Sequence, residues 1–272
     1  MNDNRTKDPV SDAPDFIYHY TTISGLMGII KEKNIWATNI NHLNDFKEFR
    51  EFVNPFLDMF RVKSVQPILK GIFEKHSRMI YVCSFSQKDD DLSQWRAYSP
   101  NANGFSIGFN YSKLKSMAPS GFELKAVFPT EELFGLHRCK YDPKGAEVEM
   151  VGIIDRNMKS NSPDIPDVPK MMAEITTLAP CYKNEKFKDE EEWRLIKLVY
   201  NEEIKFREGK TLVIPYIEID LKDKDGNLPI ESICIGPTPY MAESEASLEM
   251  LLKEKKVSNV KIIKSKVPYR AL

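Results

Sequence analysis

The C-terminal stretch constrains the fold most. Ser232–Gly236 reads as a strand, Ala242–Lys255 as an amphipathic helix and Val260–Lys264 as a second strand. A helical crossover of that length suits two strands that run parallel in one sheet. One parallel pair is therefore expected at the end of the chain.

The rest of the chain reads as short strands interleaved with helices. Phe16–Tyr20 is an apolar-aromatic run that predicts a strand. Thr22 or Ser24 can cap the helix within Ile23–Lys33, where Ile23, Leu26, Met27 and Ile30 share a face. Asn34–Thr38 predicts a second strand, and Asn41–Asp45 a polar loop. Asn44 or Asp45 then caps a helix with the stripe Phe46, Phe49, Val53, Phe56 and Phe60. Glu48 completes a capping box, and Pro55 kinks or splits this helix.

A helix follows at Val65–Lys75, a strand at Met79–Phe85 and a turn or two of helix carrying Leu92, Trp95 and Tyr98. Gly104–Asn110 and Leu124–Phe128 predict strands. Gly145–Lys159 and Val168–Leu178 predict helices joined by a linker at Ser160–Pro166. Glu191–Tyr200 and Leu212–Ile219 complete the strands, with Pro215 placing the second near an edge. The fold class expected is α+β: a mixed, mainly antiparallel central sheet with flanking helices and a C-terminal β-α-β unit. Residues 1–14 read as a disordered tail and 15–272 as a single α+β domain.

Bulk properties narrow the classes. Lys and Arg number 39 against 40 Asp and Glu, a net charge of -1, so composition gives no strong nucleic-acid signal. The four cysteines, Cys83, Cys139, Cys181 and Cys234, form no C-x-x-C pair and read as reduced, buried thiols. No apolar run approaches the roughly 20 residues of a membrane span, and the N-terminus lacks a signal-peptide core. A cytoplasmic chain without a membrane partner is expected.

Five constellations can carry chemistry. In Tyr18-His19-Tyr20-Thr21 the imidazole either holds a ligand hydroxyl or moves a proton, or is a buried histidine satisfied by a main-chain carbonyl. His42, Asp45 and Glu48 have metal-ligand chemistry, but helix capping explains Asn44, Asp45 and Glu48, so no metal is expected. Ser84 and Ser86 share one face of their strand, opposite Cys83 and Phe85. No Gly-x-Ser-x-Gly elbow surrounds them, which argues against a hydrolase nucleophile. Glu190 and Glu192 share a face if a strand begins there: either an acidic turn in solvent or a pair of carboxylates drawn to a core strand by Trp193-Arg194. Ile235-Gly236-Pro237-Thr238 lacks the other glycines and the lysine of a phosphate loop, and reads as a turn.

Taken in order, these motifs resemble a bacterial family of unknown function, domain-of-unknown-function number 2971. The residues that carry the resemblance are Tyr18-His19-Tyr20-Thr21, Trp36, Asn44-Asp45 with Glu48, Cys83-Ser84-Phe85-Ser86, Trp95 and Tyr98. They continue with Gly104-Phe105, Glu190, Glu192-Trp193-Arg194, Ile235-Gly236-Pro237, Ser265 and Pro268-Tyr269-Arg270, and span about residues 16–270.

More distantly, the opening resembles ADP-ribosyltransferase folds, including the DNA-modifying toxin type. That resemblance implies an NAD-dependent ADP-ribosyltransferase or NAD hydrolase in bacterial toxin or phage defence. NAD is then a substrate and a nucleotide-type small molecule the partner, with the acceptor macromolecule unknown. It assigns Glu192 and Glu190 to catalysis. His19, Tyr20, Thr21, Ser84, Ser86, Trp95 and Tyr98 fall to binding NAD. Two alternatives stand beside it. One is a non-enzymatic interaction or sensing module, in which Arg194 and Arg270 pair with Asp45 or Glu192 in an internal polar network. The other is a metal-dependent hydrolase using His42, Asp45 and Glu48, possibly with His19.

Overall fold

The computed structural model describes residues 13–43, 66–99, 104–118, 134–159, 162–166, 170–171, 174–175, 178–199 and 203–268. The capping box at Asn44, Asp45 and Glu48, the phenylalanine stripe, the strand at Leu124–Phe128, Arg270 and nearly all of the N-terminal tail lie outside these residues. So does most of the helix at Val168–Leu178.

The first half of the chain gives β1 (Phe16–Thr22), α1 (Ile23–Glu32), β2 (Asn34–Asn39), α2 (Gln66–Ser77), β3 (Ile80–Ser86), α3 (Leu92–Tyr98), β4 (Gly104–Asn110) and α4 (Tyr111–Met117). The second half gives β5 (Phe134–Arg138), α5 (Pro143–Asn157), β6 (Met158–Lys159), β7 (Ser162–Pro166), β8 (Glu192–Leu198), β9 (Lys205–Glu208), β10 (Val213–Asp220), β11 (Ile230–Ile235), α6 (Met241–Glu254) and β12 (Lys261–Lys264). Thr22 is the cap of α1, its hydroxyl accepting from the Gly25 N–H. Asn110 caps α4 in the same way through Lys113, a helix that no apolar periodicity announces.

Ten strands form one sheet, in the order β12-β11-β4-β1-β3-β2-β10-β9, with β8 against β3 and β5 against β8. β11 and β12 pair in parallel across α6, as the C-terminal pattern predicts. The other strand pairs described are antiparallel. The segment expected as a linker differs: Ser162–Pro166 pairs with Met158–Lys159 as a two-stranded ribbon. An edge ribbon tolerates its prolines, which a central strand does not. Pro215 sits where β10 has outrun β2 and keeps β9 alone as a neighbour.

Gly236 is required by a close approach. Its N–H bonds to the Gly104 carbonyl at 2.9 Å, and a Cβ there would lie 2.8 Å from that oxygen and 3.0 Å from the Trp95 ring. The Ile-Gly-Pro motif is thus a strand end packed on backbone.

Two features of the sheet place the site. First, β3 has a forked edge. β8 pairs with its whole length on one side. On the other side β2 pairs at Tyr81 and Val82 and β1 pairs at Ser86, with no described strand against residues 83–85. Second, β3 and β8 feed two cores by alternation. Tyr81, Cys83, Phe85 and Leu195 enter one, with Leu26 and Ile30 of α1 and Leu248 of α6. Ile80, Val82, Ile196 and Leu198 enter the other, with Phe73 of α2 and Met150 and Ile153 of α5.

Candidate ligand-binding cleft

Followed along β3, the face that starts with Ile80 and Val82 continues with Ser84 and Ser86. On β8 the same face runs from Leu198 and Ile196 to Arg194 and Glu192. Apolar packing therefore gives way to polar side chains midway along one face of both strands. Tyr18 of β1 extends the row, opposite Ser86, which is itself opposite Glu192. At this end a small cleft opens to solvent. His19, Ser84, Ser86, Tyr98, Glu190 and Glu192 line it, together with Tyr18, Tyr20, Phe85 and Gln94.

His19 occupies the fork. Its Nδ1 is 2.9 Å from the Ser84 carbonyl oxygen, 3.8 Å from Cys83 Sγ, and its ring lies 5.7 Å from that of Phe85. A carbonyl only accepts, so Nδ1 carries the proton and donates. Burial lowers the imidazole pKa, more than the bond to Ser84 raises it, so the ring is neutral at pH 7. Nε2 is then an acceptor. Both readings of the sequence meet here: the histidine is satisfied by a main-chain carbonyl and also lines the cleft.

The two acids are held from behind by a residue the sequence reading passed over. Lys183 Nζ lies 2.8 Å from Glu190 Oε2 and 2.8 Å from Glu192 Oε2. Arg194 grips Glu192 twice, Nε to Oε1 at 2.9 Å and Nη2 to Oε2 at 3.1 Å, and donates to the Pro180 carbonyl at 2.8 Å. Burial alone would raise the Glu192 pKa, but Arg194 and Lys183 outweigh it and hold the carboxyl at about 2. Burial would likewise depress Lys183, and its two carboxylates instead raise it above the ordinary 10.5.

Two cations thus offset two anions, and Glu192 is a fixed anion rather than a base. Glu190 differs: its side chain is 21% exposed, against 5% for Glu192. Glu191, between them, adopts a left-handed φ of 45° and is not among the lining residues. It closes a 3-10 turn before β8, and its carbonyl accepts from the Gln87 N–H at 3.1 Å.

Other candidates have committed polar atoms. The Ser86 hydroxyl donates to the Glu190 carbonyl at 2.7 Å and accepts from the Lys88 N–H at 3.1 Å. The Tyr20 hydroxyl donates to the Lys88 carbonyl at 2.9 Å and accepts from the Asp91 N–H at 3.0 Å, and burial raises its pKa. Trp95 is 1% exposed behind the lining, edge-on to Tyr20, with Nε1 donating to Asp90 at 2.7 Å. Thr21 lies beyond the lining, against Gly25 of α1. Gln94, the neighbour of Trp95 in sequence, lines the cleft from α3.

The remaining titratable candidates lie elsewhere. His42 Nδ1 is 3.3 Å from Asn39 Oδ1, and Asp45 and Glu48 fall outside the described residues. Among the described residues, no group of three or more His, Cys, Asp and Glu is placed to hold a metal ion. All four cysteines are buried thiols outside any disulfide. No helix of the described residues is long and apolar enough to cross a membrane.

A family model described as "Protein of unknown function (DUF2971)" matches residues 94–195. That span holds Gln94, Trp95, Tyr98, Glu190, Glu192 and Arg194, while the motifs at His19 and Ser84 precede it. No curated protein matches the chain. Among solved structures, the DarT of Thermus sp. 2.9 in complex with ADP-ribosylated ssDNA matches at a TM-score of 0.35 and 13% identity, covering 93% of this chain and 95% of that chain.

Proposed function

We propose that the cleft binds NAD and that the protein transfers or hydrolyses its ADP-ribosyl group. The observation that supports this most is the convergence of three distant segments, His19 on β1, Ser84 and Ser86 on β3, and Glu190 and Glu192 at the start of β8, on one solvent-open cleft. In the step proposed, the C–N bond to nicotinamide breaks and its electron pair leaves with the base. An oxocarbenium-like ribose remains. A lone pair of water or of an acceptor forms the new bond to the same carbon, and the nucleophile's proton passes to solvent.

The residues divide the work by exposure. Glu190, the more accessible acid, faces the developing cation and orients the nucleophile. Glu192, Lys183 and Arg194 fix it in place. His19 Nε2 accepts from a ribose hydroxyl, and Tyr98 offers an aromatic face. Positioning of this kind supplies much of the barrier reduction.

A second reading is favoured by the clamp on Glu192. A carboxylate bound by two cations at 4% residue exposure is a fold-specifying element, which suits a non-enzymatic binding or sensing module. The readings separate on incubation with labelled NAD, with and without DNA, RNA and cell lysate. Wild type is expected to consume NAD or form a labelled adduct, with Glu190→Gln and His19→Ala slower by about 10²-fold. NAD binding by calorimetry without turnover under any condition supports the module. Absence of both binding and turnover removes the NAD-based reading and leaves the module.

A further inference from the structure

The Asp90 carboxylate joins parts of the chain 175 residues apart. Its Oδ1 accepts from Trp95 Nε1 at 2.7 Å and from Ser265 Oγ at 2.5 Å, and its Oδ2 accepts from the Lys266 N–H at 2.8 Å. Ser265 Oγ also accepts from the Val267 N–H at 3.2 Å, and the Ser265 N–H donates to the Ile235 carbonyl at 2.9 Å. Val267 packs on the small cluster of Tyr20, Trp95 and Cys234, which Tyr18 also joins. The segment after β12 therefore closes behind side chains whose other surfaces form the cleft.

Asp90 lies in the short connection from β3 to α3. Tyr20 pins that connection at Lys88 and Asp91, and Asp91 Oδ1 caps α3 through the Ser93 N–H at 2.9 Å and the Gln94 N–H at 3.2 Å. α3 has seven residues, too few to hold a helix alone, so its place depends on these ties. It carries Gln94 and Tyr98 into the cleft.

We propose that Ser265–Val267 is a latch on the cleft. Closed, it holds the 87–91 connection and α3 against β1. Released, it lets Gln94 and Tyr98 move away from Tyr18 and His19, and the cleft widens. A partner that binds only the released segment opens the cleft by linkage. The latch rests on hydrogen bonds and packing and is independent of what the cleft binds.

Amide hydrogen exchange on the full chain tests it without any ligand. The amides of Trp95 and Ser99 are hydrogen-bonded within α3, to Asp91 and Trp95 at 3.0 Å each. In Ser265→Ala and in Asp90→Asn, exchange across 92–99 is expected to rise about tenfold or more, while β8 at 192–198 keeps its wild-type rate. Ser265→Thr, which retains the hydroxyl, is expected to keep α3 protected. Unchanged exchange at 92–99 in Ser265→Ala overturns the latch. So does an equal rise across β4 and β8, because that reports general loosening.

Discussion

The Lys183 ammonium and the Glu192 carboxylate form a buried ion pair, 2.8 Å from Nζ to Oε2, with side chains 4% and 5% exposed. Removing Lys183 leaves Arg194 as the one cation for two acids, since Arg194 still grips Glu192 while Glu190 loses its partner. Lys183→Met is expected to destabilise the protein by about 3–5 kcal/mol in urea unfolding at pH 7. A loss under about 1 kcal/mol would mean that Arg194 alone suffices to hold Glu192.

The same carboxylate sets an acid limit. Its pKa falls from an ordinary 4.5 to about 2 in the folded protein. A depressed carboxyl stabilises fully above its unfolded pKa, and that contribution drains away as pH falls through the folded value. Wild type should lose roughly 3 kcal/mol from this group between pH 4.5 and 2. Glu192→Gln should show a shallower slope over that window in acid-unfolding curves.

His19 gives a second pH window. Burial lowers its pKa from 6.5, so the unfolded chain binds the proton more readily. Its contribution to stability is full above pH 6.5 and is lost below it. The ring resonances should titrate below 6.5 by NMR. His19→Gln, which keeps a donor but not the imidazole acceptor geometry, should weaken NAD binding about tenfold while shifting Tm by only a few degrees.

Ser86 tests the floor of the cleft. Its hydroxyl serves two main-chain groups, the Glu190 carbonyl and the Lys88 N–H, at 2% exposure. Ser86→Ala strands both and should cost about 1–3 kcal/mol in urea unfolding. Full stability in that variant would show that water replaces the hydroxyl.

Glu191 tests the backbone between the acids. At a φ of 45° a β-branched side chain is strained, so Glu191→Val should cost about 1–2 kcal/mol while Glu191→Gly stays near wild type. Equal stability of the two would place the strand start elsewhere.

Much of this was legible in the sequence because it rests on local pattern. The β11-α6-β12 unit follows from one amphipathic helix between two apolar runs, and Thr22 announces α1 as its cap. Alternation put Ser84 with Ser86 on one face. Lys183 was not legible: it sits in Cys181-Tyr182-Lys183-Asn184, with no periodicity, and its role exists only once two 3-10 turns fold it behind Glu190 and Glu192. β5 and β9 were missed because FGLHR and KFRE carry too few apolar residues to stand out as strands. The resemblance to ADP-ribosyltransferases assigns Trp95 to NAD binding. The structure instead turns it inward, where its indole N–H donates to Asp90.

The fork in β3 has a consequence for how this site can evolve. The acceptor that fixes the His19 proton is a peptide carbonyl left unclaimed between two diverging strands. Any residue at position 84 supplies the same oxygen. The tautomer is thus inherited from topology, and mutation at that position can reshape the cleft wall without disturbing the histidine's proton.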